Sequence, residues 1–136
     1  MVFTNGCFDL LHVGHVCYLE AARKLGDYLV IGINSDASVR KLKGPARPLN
    51  DQRSRARVLA ALASVDCITI FGTKRVTPIL RRLKPEIYVK GGDYTEKSLD
   101  ARERRAIRSF GGKIRILPVW SGYSTSRLLK KMKLSR

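Results

Sequence analysis

The sequence has few of the residues that build disulfide scaffolds or metal clusters. It contains three cysteines, Cys7, Cys17 and Cys67, an odd number without CxxC spacing, and only two histidines. This composition argues against a secreted disulfide scaffold or a zinc knuckle, and it indicates a reducing compartment. A signal peptide and a membrane-length apolar run are also absent, because the longest apolar runs, such as residues 28–33, have the length of one strand. We therefore expect a cytoplasmic protein without a membrane partner.

Acidic residues are scarce as well. The chain carries 27 Lys and Arg residues against 11 Asp and Glu, which gives a formal net charge of +16. The excess lies towards the C-terminus, since 9 basic and 6 acidic residues occur up to Thr73, whereas 18 basic and 5 acidic residues follow it. Such a charge attracts anionic partners. Nucleic acid, acidic lipid and phosphorylated small molecules remain open, beside a merely solvated basic surface.

The length and the apolar content fit one folded unit. A chain of 136 residues predicts a single domain spanning 1–136. Hydrophobic residues make up 44% of it, and a chain of this length buries about two-thirds of its extended surface on folding. We therefore expect a core that needs no disulfide bonds.

Apolar runs and amphipathic segments alternate along the chain. Short apolar runs bounded by turn residues predict strands at 2–4, 28–34, 66–71, 87–90 and 113–117. Helical spacing, caps and prolines predict helices at 15–25, 36–41, 51–63, 77–83, 99–110 and 124–132, with Asp36 capping the second. Asn5 and Gly6 predict a turn directly after the first strand. The alternation predicts an α/β fold, a three-layer domain with a parallel five-stranded sheet covered on both faces.

Polar residues follow the predicted strands. The first strand is followed by the segments 5–9 and 12–15, and later strands are followed by 34–36, 90–93 and 121–126. In an open parallel sheet, ligands bind at the carboxyl ends of the strands, where the strand order reverses. We therefore expect these segments to form one site.

Both histidines of the chain stand at the predicted entrance to the first helix. His12 and His15 are three residues apart and can point the same way, and Gly14 lets a phosphate approach the backbone. The free N–H groups and the dipole of the helix would add to the attraction. Metal binding is the rival interpretation, but only Cys7 is an evident further ligand. A third interpretation is a pair of capping histidines without further function.

Several ordered segments resemble a known family. Residues 3–15 (FTNGCFDLLHVGH), 38–50 (SVRKLKGPARPLN), 89–94 (VKGGDY) and 122–126 (GYSTS) are similar to the nucleotidyltransferase superfamily related to glycerol-phosphate cytidylyltransferase, whose HxGH motif holds the nucleoside triphosphate. Within it, the sequence resembles the heptose 1-phosphate adenylyltransferase branch most. The resemblance covers nearly the whole chain, and it implies a Rossmann-like domain and a homodimer.

The resemblance also implies a reaction. The AMP moiety of ATP is transferred to a sugar 1-phosphate, with D-glycero-β-D-manno-heptose 1-phosphate favoured, giving ADP-heptose and pyrophosphate. A phosphate oxygen of the acceptor attacks the α-phosphorus in line, so the protein must supply positioning and positive charge rather than a nucleophile. Mg²⁺ is expected to arrive with the triphosphate, without metal ligands from the protein.

Site residues follow from the matched motifs. The resemblance assigns catalysis to His12, His15 and Lys43, the last in preference to Lys41. It assigns nucleotide binding to Cys7, Phe8, Gly14, Gly91, Asp93, Gly122, Ser124, Thr125 and Ser126. It assigns acceptor binding to Asp9, Arg47 and Arg55, although Asp9 also fits a turn and each arginine a salt bridge.

Two departures from the family leave alternatives open. Residues 119–125 lack the arginine that cytidylyltransferases of this superfamily carry before the last helix, which favours ATP over CTP. Residues 72–78 are basic where the heptose branch has an acidic stretch, which opens the identity of the acceptor, so a cytidylyltransferase acting on glycerol phosphate is the alternative. A nucleic-acid-binding protein is a second alternative, but interleaved aromatic residues are lacking, so we expect no nucleic acid partner.

Overall fold

The computed structural model describes residues 1–92, 94–118, 122 and 124–134, except for the side chains of residues 125 and 134. Its strands are β1 Val2–Gly6, β2 Leu29–Asn34, β3 Cys67–Phe71, β4 Ile87–Gly91 and β5 Lys113–Leu117. Its helices are α1 Val13–Arg23, α2 Asp36–Lys43, α3 Gln52–Ala60, α4 Thr77–Leu83, α5 Ala101–Ser109 and α6 Thr125–Leu134. Within the described ranges, no helix has the length and apolar character needed to cross a membrane.

The five strands form one parallel sheet in the order β3-β2-β1-β4-β5. Successive residues of a strand face opposite sides, so Val2 and Phe3 enter different cores. On one side, Val2 packs with Leu19 of α1 and Leu59 of α3. On the other, a second cluster contains Phe3, Leu80 of α4 and Ile107 of α5. This confirms the prediction of a three-layer, Rossmann-like α/β fold.

Some predicted boundaries were wrong, and hydrogen bonding explains why. Asn5 and Gly6 belong to β1 rather than to a turn, because they stay in register with Gly32 and Ile33 of β2. Helix α1 begins two residues earlier than predicted, with His12 as its N-cap residue. The N-cap of α2 is Ser35, whose hydroxyl accepts a bond from the Ser38 N–H, and Asp36 is the first residue inside the helix.

Strands β1 and β4 separate near the middle of the sheet. They are paired only at Val2 with Ile87 and at Phe3 with Tyr88, whereas the pairing of β1 with β2 continues through Gly6. The strand order reverses here, so the separation opens a cleft at the position where parallel sheets bind ligands.

Two side chains form hydrogen bonds with β4 where the backbone pairing of β1 and β4 ends. The hydroxyls of Thr4 and Tyr18 lie 2.8 Å apart, and their oxygens lie 2.9 and 3.2 Å from the carbonyl oxygen of Val89. With one proton each, one hydroxyl donates to the other, which donates to the carbonyl. Thr4 is fully buried, and burial raises the pKa of Tyr18 to about 12, so both hydroxyls keep their protons at neutral pH. This cluster fixes the floor of the cleft.

The substitution Thr4→Val should destabilise the protein by about 1–2 kcal/mol, because it removes a buried hydroxyl and leaves its partners short of a hydrogen bond. Urea denaturation followed by circular dichroism measures the change. Thr69→Val on the edge strand β3 is the matched control, since the Thr69 hydroxyl makes no hydrogen bond within the described residues. Equal losses in both variants would contradict the role given to Thr4.

Candidate active site

A cavity of about 480 Å³ lies at the carboxyl ends of β1 and β4. Eleven of the residues assigned from the sequence line it, namely Cys7, Phe8, Asp9, His12, Gly14, His15, Lys43, Arg47, Gly91, Ser124 and Ser126. The sheet thus brings together segments that are more than 100 residues apart in the chain. The lining combines imidazoles, cations, hydroxyls and backbone N–H groups, which is the chemistry that phosphate groups require.

The structure does not place every assigned residue at this cavity. Arg55 and Gly122 lie outside its lining. Asp93 and the side chain of Thr125 lie outside the described part of the chain. Conversely, Asn5, Gly6, Tyr18, Lys90 and Tyr94 line the cavity without having been assigned from the sequence. Asn5 and Lys90 are the last residues but one of β1 and β4, the strands at the reversal of strand order, and that position was the available signal.

The two histidines stack against each other at the start of α1. Their ring centroids are 3.9 Å apart, with an angle of 28° between the planes. On its other side, the His15 ring contacts the ring of Phe8 at 5.3 Å. Phe8 has a left-handed backbone with a φ of 48°, an uncommon conformation that folds the loop back over the helix entrance. The imidazole positions are therefore set by packing as well as by the helix.

The hydrogen bond of His15 determines which of its two ring nitrogens carries the proton. The backbone N–H of His12 donates to Nδ1 of His15 at 3.3 Å, so a neutral ring carries its proton on Nε2. Burial, with the nearby His12 and Lys43, lowers the pKa of His15 to about 4, and burial also lowers the pKa of His12. At neutral pH His15 is thus an uncharged donor that a bound anion can engage.

Lys43 comes to the cavity as the last residue of α2. The helix is followed by Gly44, whose φ of 95° lies in a region that favours glycine and that turns the chain away. Lys43 lines the cavity, whereas Lys41 of the same helix does not. The preference for Lys43 drawn from the sequence therefore agrees with its location.

Asp9 is saturated by donors from the segment 47–50. Its carboxylate accepts the N–H groups of Leu49 and Asn50 at 2.9 and 3.0 Å, and Nη1 of Arg47 at 3.0 Å. The Asn50 amide also donates to the Asp9 carbonyl. Burial alone would raise the pKa of Asp9, but these donors lower it overall. Asp9 thus ties the Arg47 segment to the loop after β1.

Arg55 is a buried connector rather than a lining residue. Its side chain is 0% exposed, and it donates to the carbonyls of Cys7 and Asn50 and to the carboxylate of Asp36 at 2.8 to 3.0 Å. Each nitrogen of the guanidinium is therefore bonded to the protein. The acceptor-binding role predicted for Arg55 has no support in this position, which corresponds to the alternative of a salt bridge.

Gly91 and Tyr18 line the main cavity and lie against each other. A Cβ atom at residue 91 would lie 3.2 Å from Cε2 of Tyr18, so a side chain there would push against the ring. Tyr18 is held in turn by Thr4 and Val89. The glycine therefore allows β4 to approach the ring that closes the floor of the cavity.

A second cavity of about 330 Å³ adjoins the first on the side of α4 and α5. The two share Asn5 and Tyr94 as lining residues. The second cavity adds Asn34, Leu42, Phe71, Lys74, Arg75, Val76, Asp100 and Glu103. Amides and charges of both signs in this lining suit a polyhydroxylated ligand.

The donor set of the cavities does not suit a resident metal ion. Among the described residues, no group of three His, Cys, Asp or Glu side chains could hold one. The carboxylate of Asp9, which lines the main cavity, is already saturated by N–H donors. The residues that line the cavities would therefore accommodate a metal ion only as part of a bound ligand.

Comparisons with known proteins found a family model and curated relatives that match most of the chain. A family model described as Cytidylyltransferase-like matches residues 3–131. Two curated relatives, both called bifunctional protein HldE, come from Syntrophotalea carbinolica and Methylobacillus flagellatus. They are 47% and 48% identical over 132 residues, which is 97% of this chain but 26% and 27% of those proteins. The chain thus spans about a quarter of their length.

Solved structures show the same fold. The lipopolysaccharide core biosynthesis protein from Thermoplasma volcanium has a TM-score of 0.70 and 31% identity, over 90% of this chain and 97% of that one. Thermotoga maritima TmcAL bound with alpha-thio ATP has a TM-score of 0.66 and 12% identity, over 99% and 50% of the two chains. At that identity the second likeness concerns the fold alone.

The substitution Arg55→Met should destabilise the protein by about 3 kcal/mol, because it leaves two carbonyls and the Asp36 carboxylate without their donor. Arg53→Met, at an exposed position of the same helix, should change stability by at most about 0.5 kcal/mol. Chemical denaturation of both variants measures the difference. If Arg55→Met were as stable as Arg53→Met, the connector role would be wrong.

The stability of the protein should fall as the pH decreases from 6.5 to 4. The pKa of His15 is about 4 in the folded protein against an ordinary 6.5, so the unfolded chain binds more protons in this window. His15→Gln should flatten this part of the curve of unfolding free energy against pH. Asp9, whose pKa is lowered from 3.8, also loses its contribution as the pH falls, but mainly at and below the acid end of this window. An unchanged slope in His15→Gln would contradict the low pKa.

Proposed function

Because the chain belongs to the cytidylyltransferase-like family, we propose that it is a nucleotidyltransferase that moves the AMP moiety of ATP onto a sugar 1-phosphate. The favoured acceptor is D-glycero-β-D-manno-heptose 1-phosphate, and the products are ADP-heptose and pyrophosphate. The observation that carries the proposal is the cavity at the ends of β1 and β4, where His12, His15, Lys43 and Ser124 converge. No nucleophilic side chain is needed, because the acceptor supplies the attacking oxygen.

In this mechanism the protein positions two phosphates and stabilises charge. The phosphate oxygen of the acceptor attacks the α-phosphorus of ATP, and the bond to the bridging oxygen of pyrophosphate breaks on the opposite side. His15 donates from Nε2 to the α-phosphate as negative charge builds up, and His12 lies beside it. Donors fixed before the reaction need no reorganisation, so they act with greatest effect in the transition state.

The remaining donors hold the outer phosphates and the acceptor. Lys43 neutralises charge on the triphosphate, and Ser124 and Ser126 lie at the start of α6, where backbone N–H groups attract anions. Arg47 gives one nitrogen to Asp9, and the other N–H groups of its fork bind the acceptor phosphate. Mg²⁺ enters with the triphosphate and screens its charge.

The sugar of the acceptor occupies the second cavity, which begins at Asn5 and Tyr94 beside the reacting phosphates. The amides of Asn5 and Asn34 and the carboxylate of Asp100 can bind hydroxyl groups. The name of the Thermoplasma volcanium relative, a lipopolysaccharide core biosynthesis protein, supports a sugar as the acceptor. We also propose that the protein forms a homodimer, as the resembled family does.

Pyrophosphate release should occur with ATP and heptose 1-phosphate, and not when glycerol phosphate replaces the sugar or when CTP or GTP replaces ATP. A coupled pyrophosphate assay that crosses the three nucleotides with the two acceptors tests this. Release with CTP alone would overturn the adenylyl assignment in favour of the cytidylyltransferase alternative. Salt-sensitive binding of RNA or DNA that survives His12→Ala, without any release, would favour the nucleic-acid-binding alternative.

Two variants test the active-site assignment in the same assay. Lys43→Ala and His15→Ala should each lower kcat by about 10²- to 10³-fold, the usual loss when one donor to the transition state is removed. Lys41→Ala is the matched control and should keep near-normal turnover, because Lys41 lies on the same helix outside the lining. Near-normal turnover by His15→Ala would remove the histidine pair from the mechanism.

A further inference from the structure

The wall between the two cavities contains a chain of three polar side chains. The hydroxyl oxygen of Tyr88 lies 2.7 Å from the amide atom of Asn5 assigned as Oδ1, and 3.2 Å from Oε2 of Glu103. Tyr88 is fully buried, and it belongs to β4, whereas Glu103 comes from α5. Asn5 is the last residue but one of β1 and lines both cavities.

These two contacts need more protons than the Tyr88 hydroxyl has. The Tyr88 hydroxyl has one proton, but an amide oxygen and a carboxylate oxygen can both only accept. Burial, reinforced by the nearby Glu103, holds the pKa of Tyr88 well above its usual range, so the phenol keeps that single proton. If the proton bonds to Asn5, two oxygen lone pairs face each other between Tyr88 and Glu103.

Reversing the Asn5 amide resolves the conflict. The oxygen and nitrogen of an amide are nearly the same size, and which is which follows from their hydrogen bonds. Hydrogen bonds to a charged carboxylate are the stronger ones, so we assign the Tyr88 proton to Glu103, although this contact is the longer of the two, at 3.2 Å against 2.7 Å. Within the described residues, Glu103 has no other hydrogen-bond donor than Tyr88. Nδ2 of Asn5 then donates to the Tyr88 oxygen, and both contacts are satisfied.

We propose that Glu103 and Tyr88 are positioning residues that orient the Asn5 amide, so that its Oδ1 faces the cavities and accepts a hydrogen bond from a hydroxyl group of the acceptor. This inference deepens the proposed function and rests on it for the identity of the ligand. The amide orientation itself does not depend on any activity. The expected specificity is for acceptors that present a hydrogen-bond donor, such as a sugar hydroxyl, at this wall.

Nuclear magnetic resonance of the Asn5 side-chain NH2 group tests the orientation in the free protein. In the wild type, one of its protons should exchange with solvent at least tenfold more slowly than in Tyr88→Phe, which lacks the accepting oxygen. Glu103→Gln should also shift the Asn5 signal, because the Tyr88 proton is no longer held by a charge. Glu96→Gln is the control, since Glu96 pairs with Arg108 at the surface. Asn5 protons that exchange equally fast in wild type and Tyr88→Phe would overturn the inference.

Steady-state kinetics test the consequence for binding. Tyr88→Phe and Glu103→Gln should raise the KM for the sugar 1-phosphate about tenfold, and should leave kcat and the KM for ATP within twofold of wild type. A loss of kcat with unchanged acceptor KM would contradict the positioning role. If the wild type transfers no nucleotide to any sugar 1-phosphate, the proposed function fails, and the resonance experiment still decides the orientation.

Discussion

The site depends on how far β1 and β4 stay paired. Two residue pairs hold the strands together, and beyond them the Val89 carbonyl of β4 is bonded to the side chains of Thr4 and Tyr18 instead. A fully paired ladder would close the sheet at the position where its strand order reverses. The hydroxyls of Thr4 and Tyr18 therefore provide the hydrogen bonding that the Val89 carbonyl would otherwise lack, and they leave the cleft open for a ligand. The glycine at the end of β4 follows from the same constraint.

The charged groups around the cleft include both signs, and each has a specific position. The carboxylate closest to the cations, Asp9, is surrounded by N–H donors, so its charge fixes a loop instead of repelling an anionic ligand. The lowered pKa values of His12 and His15 leave both imidazoles uncharged at neutral pH, and Lys43, Arg47 and Lys90 supply the cations. Most of the excess positive charge lies beyond Thr73 and outside this lining. The net charge of +16 is thus a poor guide to the site, whose electrostatics come from a few placed groups.

Much of the fold and the site could be predicted from the sequence, and the exceptions have physical reasons. The parallel sheet follows from buried apolar runs that alternate with helices, the pairing of His12 with His15 follows from their spacing at a helix start, and Lys43 follows from the family resemblance alone. The burial of Arg55 could not be predicted, because an arginine on a helix is as compatible with solvent as with carbonyls that tertiary structure alone brings near. Asn5 and Gly6 are typical of a turn in the sequence, but in the structure they pair with residues of β2. The second cavity depends on α5 meeting β1, a contact without a local signal.

The saturated carboxylate of Asp9 also couples binding to order in the segment 44–50. Arg47 and the N–H groups of Leu49 and Asn50 converge on this one group, and Lys43 precedes them by a few residues. A ligand that engages Lys43 and Arg47 in this arrangement also stabilises the hydrogen bonds that hold it, by thermodynamic linkage. Order in the segment 44–50 and occupancy of the cavity are therefore linked through one carboxylate.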